Sequence, residues 1–265
     1  MAVKGNEHDI CHMEWMQETN SRQTVICLKW EDRYGAEYVN RLYSMVRRNT
    51  VRPLRFVCFT DDPNGIVEGV EIKEMPPFDL PEKMRRHPFR RMFLFRPDLA
   101  EISGVVLHFD LDLIVTGSID PFFDECPKSD FVTAENWTQP GQGIGNMSIF
   151  RYRVGALGKV WERFRPDPMA MMDLYRNSQT FVCRTIGKVD FFPPDWCLSF
   201  KHSLIPPWPM NFVRMPVLPD SARVVAFTGK PDIDEAARGE WPVDRPWKKL
   251  YKHVRPTPWI AEHWR

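Results

Sequence analysis

The chain has 265 residues, of which 43% are hydrophobic and 13% are aromatic. This is enough apolar material for one sizeable core, and the length fits one large domain better than two complete ones. Lys and Arg number 36 against 35 Asp and Glu, so the net charge is +1 and no global basic field would attract nucleic acid.

The six cysteines are scattered, without a C-x-x-C pair or a Cys and His group at zinc spacing. This pattern predicts reduced thiols in a cytoplasmic protein. Residues 1–20 are polar and contain no apolar core of a signal peptide, and no later segment has the roughly eighteen uninterrupted apolar residues that span a bilayer. We therefore expect no transmembrane segment, while peripheral association with a membrane stays open.

The first half of the chain alternates apolar runs with an amphipathic one. TVICLKW at 24–30 predicts a strand, and Tyr34 and Gly35 lead into AEYVNRLYSMVRRN at 36–49. Apolar residues recur in that second segment at helical spacing, and its basic end suits the negative end of a helix dipole. The predicted positions of the apolar face are Tyr38, Leu42, Met45 and Val46.

Two more strands are predicted before residue 76. PLRFVCFTDDPNG at 53–65 is an apolar run with a turn-rich end, and GVEIKEM at 69–75 is a shorter strand. This alternation predicts parallel strands joined by helical crossovers, and ligands bind such sheets beyond the carboxyl ends of the strands. The residues at those ends are Lys29 and Trp30, Asp61 and Asp62, and, further along, Asp110 and Asp112.

A basic and aromatic helix is predicted between the third strand and these last aspartates, within residues 81–101. Pro88 suits the first turn of a helix, and the Phe and Met residues that follow give it an apolar face. Arg90 and Arg91 project beside that face, where a solvated surface is the simplest interpretation of them.

The segment GVVLHFDLDLIVTGSIDPFF at 104–123 is apolar enough for a buried strand but ends in Asp110 and Asp112. Burying carboxylates is costly unless something pairs with them. At positions i and i+2 of an extended backbone both side chains point to the same side, so one divalent ion can touch both. Hard oxygen ligands select Mg²⁺ or Mn²⁺, and a diphosphate would supply the remaining ligands.

The second half of the chain is more broken. We predict a strand at 130–136 and helices near 154–164 and 168–176, with the stretch GQGIGNMSIFRY at 141–152 between the strand and the first helix. A region rich in Pro and Trp follows. Many of the 24 prolines lie after residue 190, which favours long ordered loops wrapped on the sheet.

Two families place a D-x-D motif after a buried strand. Haloacid-dehalogenase-like phosphatases carry it in DxDGT-like segments, but FDLDLIV lacks the Gly-Thr turn and lies far into the chain. The chain instead resembles the GT-A fold glycosyltransferases, in which D-x-D holds a metal ion on the diphosphate of a nucleotide sugar. The segments that carry the resemblance are VICLKWEDRYGAEYVNRLYSMVRRN, RFVCFTDDPNGI, GVVLHFDLDLIVTGSIDPFF, GNMSIF, FFPPDWCLSFK and VVAFTGKP.

These segments have the order and spacing of bacterial glycosyltransferases distantly similar to the glycogenin and lipopolysaccharide galactosyltransferase group, over roughly residues 24–231. The ending PTPWIAEHWR also resembles the tail of those bacterial relatives. The resemblance implies a single α/β domain over 1–265 of GT-A, Rossmann-like fold, with a mainly parallel central sheet flanked by helices. It implies a nucleotide-sugar and metal-binding half at about 24–125, and an acceptor-side half with the tail at about 126–265.

The resemblance also implies the reactants. The donor would be a nucleotide sugar, with a UDP-sugar favoured, and the cofactor would be Mn²⁺ or Mg²⁺. A hexosyl group would move to a glycan, lipid or small-molecule acceptor, with retention of configuration in the best-known members.

Roles for individual residues follow from the matched segments. Asp110 and Asp112 match the metal and diphosphate motif. Lys29, Trp30 and Tyr34 occupy the place where relatives hold the nucleotide base, although core packing is an equal alternative for the two aromatic residues.

Two further matches concern the reacting groups. Arg91 falls where relatives carry a basic residue on the helix before the D-x-D strand, which implies a diphosphate contact. Asn146 falls where relatives place a small polar residue facing the sugar.

The chain departs from the relatives at two places. Relatives often have a D-Q pair near the donor sugar, whereas here Ser178 replaces the aspartate and only Gln179 matches. Relatives also present a histidine as a further metal ligand, and here Ala226 and Thr228 fill the candidate positions. Lys230, just beyond them, is a candidate phosphate contact.

The sequence therefore predicts a cytoplasmic, metal-dependent glycosyltransferase. The alternative is a degenerate, non-catalytic nucleotide-sugar-binding protein of the same fold. Ser178 and the missing histidine favour that alternative, and the intact D-L-D opposes it. No carboxylate nucleophile can be named, and Glu135 is open between a polar role near the acceptor and an ordinary salt bridge.

Overall fold

A computed structural model describes residues 22–30, 33–76 and 87–265 of the chain. These residues form ten strands, which are assigned to two sheets. The strands are β1 Gln23–Lys29, β2 Leu54–Thr60, β3 Glu71–Glu74, β4 Val105–Phe109, β5 Leu113–Val115, β6 Phe131–Glu135, β7 Gly145–Arg153, β8 Asp190–Phe191, β9 Cys197–Ser199 and β10 Val224–Ala226.

The larger sheet has seven strands in the order β3-β2-β1-β4-β7-β6-β8. Its pairs are parallel except where β7 runs antiparallel to both β4 and β6. The smaller sheet has the order β5-β10-β9. Both predicted halves of the chain contribute strands to the larger sheet. The α/β class with a mainly parallel central sheet is confirmed.

Helices cover the sheet, as predicted, and none of those described is long and apolar enough to cross a membrane. The predicted helix after β1 is present, with Val39, Leu42, Met45 and Val46 buried and Tyr38 only half-buried. The α-helices are α1 Ala36–Arg48, α2 Asp120–Asp124, α3 Gly158–Phe164, α4 Pro168–Tyr175, α5 Ser178–Ile186, α6 Ile233–Arg238 and α7 Trp259–His263.

The basic and aromatic segment before β4 forms a 3₁₀ helix, Pro88–Phe95, and not the α-helix that its apolar spacing suggested. His87 caps it by accepting a hydrogen bond from the backbone N–H of Phe89. The tighter turn leaves almost every side chain of this helix buried, including that of Arg91. The 3₁₀ geometry thus turns Arg91 away from the surface position that the sequence favoured.

The core lies on both faces of the larger sheet. Strand β1 shows the arrangement, because Val25 and Cys27 pack into the cluster under α1, while Ile26 and Leu28 pack into the cluster under the 3₁₀ helix, α3 and α5. Because both faces of β1 are buried, the centre of its sequence is an unbroken apolar run. The five cysteines in the described part of the chain are unpaired.

The chain passes from the larger sheet to the smaller one through Asp110, Leu111 and Asp112. The backbone N–H of Asp110 donates to the carbonyl of Ser148 on β7 at 2.9 Å. The backbone N–H of Phe227, just after β10, donates to the carbonyl of Asp112 at 2.8 Å. The D-L-D motif is therefore held between two sheets, with one aspartate fixed to each.

Arg151 on β7 fixes the connection between α2 and β6. Its Nη1 donates to the carbonyls of Phe123 and Glu125 at 3.1 and 2.6 Å. Its Nη2 donates to the carbonyls of Cys126 and Ser129 at 2.9 and 3.0 Å. One buried guanidinium thus satisfies four backbone carbonyls of a single connection.

We expect Arg151→Met to lower the free energy of unfolding by about 2–4 kcal/mol, because the partly buried carbonyls lose their donor. Urea denaturation would measure the loss. The matched control is Arg153→Met on the same strand, where an exposed guanidinium lies 3.4 Å from Asp130. This control should cost no more than about 1 kcal/mol. Equal losses in the two variants would show that water replaces the Arg151 bonds without penalty.

Candidate active site

Asp110 and Asp112 line one cavity of about 110 Å³ at the edge of the larger sheet. Strands β1 and β4 are parallel neighbours, so the loops after their carboxyl ends meet at this edge. Leu111 lines the same cavity, so the expectation that both carboxylates share one side of the backbone stays a prediction. The polar and aromatic residues of the wall are Trp30, Arg33, Tyr34, Arg91, Asp110 and Asp112.

Arg91 is the cation partner of Asp110. Its guanidinium lies 3.3 Å from Oδ1 and 3.4 Å from Oδ2 of the carboxylate. The same side chain donates to the carbonyl of Met147 on β7 at 2.6 Å, and only 8% of it is exposed. A charge-assisted contact of this kind offsets part of the cost of burying Asp110.

Asp112 has a phenol as its partner. The hydroxyl of Tyr34 donates to Oδ2 of Asp112 at 3.2 Å. Burial, together with the negative charge of Asp110, raises the pKa of Asp112 from 3.8 to about 7. Burial and the neighbouring Asp112 also raise the pKa of Tyr34 well above its ordinary value, so Tyr34 stays a hydrogen-bond donor. A raised carboxyl pKa beside a second carboxylate indicates a site that favours an added positive charge.

His108 belongs to the surroundings of this site, and the sequence analysis did not single it out. It lies two residues before Asp110 on β4, is fully buried, and stacks on Phe150 with ring centres 4.5 Å apart. Its Nε2 is 3.9 Å from Oδ1 of Asp110, and neither ring nitrogen has a hydrogen-bond partner among the described residues. Burial lowers the pKa of His108 to about 3, so the ring is neutral.

Arg33 is the second cation in the cavity wall, and it too was missed. Its guanidinium carbon lies 5.0 Å from the centre of the Tyr34 ring, in cation–π range. The signal available in the sequence was its position directly before Tyr34, in the loop that follows β1. Trp30 and Tyr34 line the cavity and also pack at the edges of the two core clusters.

The two predicted lysines point elsewhere. Lys29 is buried, and its ammonium donates to the carbonyl of Asp62 at 2.8 Å and lies 3.3 Å from its Oδ2. Lys230 pairs with Asp232 and Glu235 at the start of α6, and these bonds raise its pKa. Neither lysine lines the cavity of Asp110 and Asp112.

Asn146 lies on β7, which is the strand between β4 and β6 in the larger sheet. Its Oδ1 accepts from the backbone N–H of Ser148 at 2.9 Å, and the carbonyl of Ser148 accepts from Asp110. On the other side, Asn146 pairs in register with Ala134 of β6. Asn146 is thus linked to Asp110 through Ser148, although its side chain does not line the cavity of Asp110 and Asp112.

The structure also locates the residues at the two positions where the sequence departs from the glycosyltransferases it resembles. Ser178 is buried and Gln179 half-buried at the start of α5, and neither lines the cavity. Ala226 is buried on β10 opposite Leu113, and Thr228 is half-buried just beyond it. Because the backbone N–H of Phe227 donates to the backbone carbonyl of Asp112, the segment expected to carry a metal-binding histidine runs beside the backbone of Asp112.

A second cavity of about 240 Å³ lies beyond the carboxyl end of β6. Glu135 lies in its wall and accepts a hydrogen bond from the backbone N–H of Gly141 at 2.7 Å, so its side chain holds the loop that follows β6. Trp137 is oriented by a bond of 3.1 Å from its indole N–H to the carbonyl of Cys197. Strand β7 separates this cavity from the one at Asp110, because it lies between β4 and β6.

Comparisons with known proteins bear on the fold. No protein-family model and no curated protein matches the chain. The galactosyltransferase LgtC, solved with donor and acceptor sugar analogues, aligns with a TM-score of 0.53 and 15% identity over 80% of this chain and 89% of its own. GlyE of Streptococcus pneumoniae TIGR4 aligns with a TM-score of 0.52 and 14% identity over 80% of this chain. The bifunctional glycosyltransferase WbbM gives a TM-score of 0.51 and 11% identity over 81%.

The chain has a GT-A glycosyltransferase fold. It covers 56% of the GlyE chain and 47% of the WbbM chain, so it spans about half the length of these two neighbours. In this GT-A fold the D-L-D motif lies where ligands bind open α/β sheets, beyond the carboxyl ends of the strands.

The cavity offers a divalent ion two carboxylates. No group of three His, Cys, Asp or Glu side chains within residues 22–30, 33–76 and 87–265 could hold a metal ion. Asp110 and Asp112 nevertheless fit Mg²⁺ or Mn²⁺ in ligand type, and burial together with the charge of Asp110 raises the pKa of Asp112, which an added positive charge would counter. Further oxygen ligands would have to come from water or from a bound phosphate.

We expect Asp112→Asn to stabilise the metal-free protein, and to do so increasingly as the pH rises. Below about pH 4 the carboxyl is protonated in both folded and unfolded chains. Between 3.8 and about 7 only the folded chain keeps the proton, so the parent loses stability across this window. Asparagine does not titrate. The difference in Tm should therefore grow to about pH 7 and then level off.

Differential scanning calorimetry in EDTA would follow this difference. Asp98→Asn is the control, since Asp98 is 75% exposed and pairs with Arg96 outside the cavity. A difference in Tm for Asp112→Asn that stays constant over the whole window would show that the carboxyl is not electrostatically strained.

Proposed function

We propose that this chain is a metal-dependent glycosyltransferase that moves a sugar from a nucleotide sugar, with a UDP-sugar favoured, to an acceptor. The observation that carries the proposal is the half-buried pair Asp110 and Asp112, held between the two sheets in the cavity of a GT-A fold. A fold of this size does not need two adjacent carboxylates there for stability, because burial and the charge of Asp110 both disfavour the ionised form of Asp112.

Asp110 and Asp112 would hold the Mn²⁺ or Mg²⁺ ion in this proposal. When bound, the ion supplies positive charge that stabilises the departing nucleoside diphosphate. Thr228 follows Phe227, the backbone partner of Asp112, in the chain. With two carboxylates as the protein ligands, ion and nucleotide should raise each other's affinity, since the coupling is reciprocal.

Two arginines are placed to bind the diphosphate. Arg91 already contacts Asp110, so a phosphate oxygen entering beside that carboxylate would meet the same guanidinium. Arg33 is the other cation in the wall, and the sequence analysis did not assign it. Preorganised cations of this kind stabilise negative charge as it develops on a leaving group.

The nucleotide base would lie against the loop after β1. Trp30 and Tyr34 are in the cavity wall and offer aromatic surface for stacking. Lys29 supports this loop indirectly, because its ammonium ties the end of β1 to the loop after β2 through Asp62. Lys230 would likewise act by fixing the start of α6 and not by touching phosphate.

The acceptor would enter from the side of the second cavity, in the predicted acceptor-side half of the chain. Trp137 gives that cavity an oriented indole, and Asn146 lies on the strand between the two cavities. We propose Asn146 as the polar residue nearest the transferred sugar. Gln179 lines neither cavity, so its role as a catalytic residue rests on the sequence resemblance alone. Retention of configuration and a cytoplasmic location rest on the sequence in the same way.

A second candidate function is nucleotide-sugar binding without turnover. Two observations favour it, namely Ser178 in place of an aspartate and the lack of a third metal-binding side chain beside Asp112 in the described part of the chain. The two functions differ in whether nucleotide is released, which a direct assay can decide.

We expect the purified chain to release UDP from UDP-sugars in the presence of Mn²⁺, and more strongly when a cell extract supplies acceptors. Asp110→Asn and Asp112→Asn should each reduce release by at least about 100-fold, because both remove charge that holds the ion and the leaving group. Asp98→Asn, an exposed aspartate paired with Arg96, should retain full release.

Calorimetric titration with UDP and Mn²⁺ on the same three variants separates the remaining outcomes. Tight binding without release by the parent, for every donor and extract tried, would support the non-catalytic alternative. Unchanged UDP affinity in both D-L-D variants would contradict the assignment of the site.

We expect Arg91→Met to weaken binding of UDP with Mn²⁺ by about 1.5–3 kcal/mol, the range of a charge-assisted hydrogen bond. The matched control is its neighbour, Arg90→Met. Arg90 pairs with Asp61 at 3.1 Å and does not line the cavity. Equal losses would indicate a diffuse basic field and not a specific phosphate contact. Arg86, the comparison that the sequence alone would suggest, lies outside the described residues.

A further inference from the structure

Two segments late in the chain form one continuous surface. The first is 204–218 and the second is 245–255. The indole N–H of Trp208 donates to the carbonyl of Leu250 at 3.1 Å. Asn211 donates to the carbonyls of Tyr251 and His253, both at 2.9 Å. These bonds hold the two segments side by side, and we call the result the aromatic–basic surface.

This surface exposes an unusual amount of large apolar side chain. It holds seven of the eleven large hydrophobic residues that are exposed in the described part of the chain. From the first segment these are Trp208, Val213, Met215 and Val217. From the second they are Trp247, Leu250 and Tyr251. Contiguous exposed apolar area of this kind marks an interaction site.

The backbone directs these side chains outward. Pro216 is buried, and its carbonyl accepts from the indole N–H of Trp259 at 3.1 Å. Its neighbours Met215 and Val217 are two residues apart in a non-helical stretch and both face solvent. Leu250, 74% exposed, provides a backbone carbonyl for Trp208 while its own side chain stays outside the core.

The charge on this surface is mainly positive, and the one carboxylate that adjoins it in sequence, Asp244, pairs with Lys248 at 2.5 Å. Segments 204–218 and 245–255 contain no Asp or Glu, although the whole chain is almost neutral. Their basic residues are Arg214, Arg245, Lys248, Lys249, Lys252 and Arg255. Trp and Tyr placed among Lys and Arg is the composition of a membrane–water interface, where rings lie at the headgroup level and cations meet lipid phosphates.

We propose that the aromatic–basic surface binds the chain to a bilayer that contains anionic lipids. Trp208, Trp247 and Leu250 enter the headgroup region, and the surrounding lysines and arginines contact phosphate groups. A second copy of the chain is a poor occupant, because a symmetric contact would bring the same positive charges face to face. The inference does not depend on the proposed function.

The experiment uses the full chain with two kinds of vesicle, phosphatidylcholine alone and equal parts phosphatidylcholine and phosphatidylglycerol. Flotation would measure the bound fraction. The chain should float with the anionic vesicles and not with the neutral ones, and added salt should weaken binding because screening acts on exposed charges. No flotation with anionic vesicles at low salt would overturn the proposal.

Paired variants test which residues carry the binding. Lys249→Gln should weaken it about fivefold, the effect of one basic residue near a charged bilayer. Leu250→Glu should weaken it by about tenfold or more, because it replaces an aliphatic group that would be buried in the bilayer with a negative charge. The matched controls are Lys188→Gln, on a side chain that is 89% exposed, and Leu174→Glu on α4. Both controls should float like the parent, and circular dichroism would confirm that every variant is folded.

Equal effects in test and control variants would overturn the assignment of the surface. Light scattering without vesicles provides the other decisive outcome. If the chain self-associates and Leu250→Glu makes it monomeric while vesicle binding is unaffected, the surface is an interface between copies of the chain and the proposal is wrong.

Discussion

The structure depends on the electrostatic cost of placing Asp110 and Asp112 together where the chain leaves one sheet and enters another. Burial is the main cause of the raised pKa of Asp112, and the negative charge of Asp110 adds to it. Arg91 and Tyr34 offset part of the cost, one for each carboxylate. Tyr34 comes from the loop after β1 and Arg91 from the 3₁₀ helix before β4, and the parallel pairing of β1 and β4 brings the ends of these two strands to one edge of the sheet.

The fold was largely accessible from the sequence because its signals are local. Uniform apolar runs predict buried parallel strands, and the spacing of Leu42, Met45 and Val46 predicts α1. The environment of Arg91 was not accessible in this way. Its burial depends on the 3₁₀ geometry of its own helix and on a carbonyl of β7, which lies 56 residues further along the chain. A contact between residues so far apart in the chain produces no periodic pattern in the sequence around Arg91.

Other residues of the site could have been found with rules already in use. His108 precedes Asp110 by two positions on a strand, so the two side chains share a face. Lys230 stands just before Asp232 and Glu235, which form a capping box on α6 and are the natural partners of a nearby ammonium. A lysine that close to two carboxylates in sequence is a poor candidate for a free phosphate contact, and the structure shows it paired with both.

Strand β7 lies between the two cavities that the proposed function assigns to donor and acceptor. It runs antiparallel between β4 and β6, so its residues 145–148 lie between the cavity of the carboxylates and the cavity of Trp137. Ser148 accepts a hydrogen bond from Asp110 on one side, and Asn146 pairs with Ala134 on the other. If donor and acceptor occupy these two cavities, the transferred sugar must move past this short stretch of β7. Asn146 and Ser148 are the polar residues of that stretch, and the side chain of Asn146 is already oriented by the backbone N–H of Ser148.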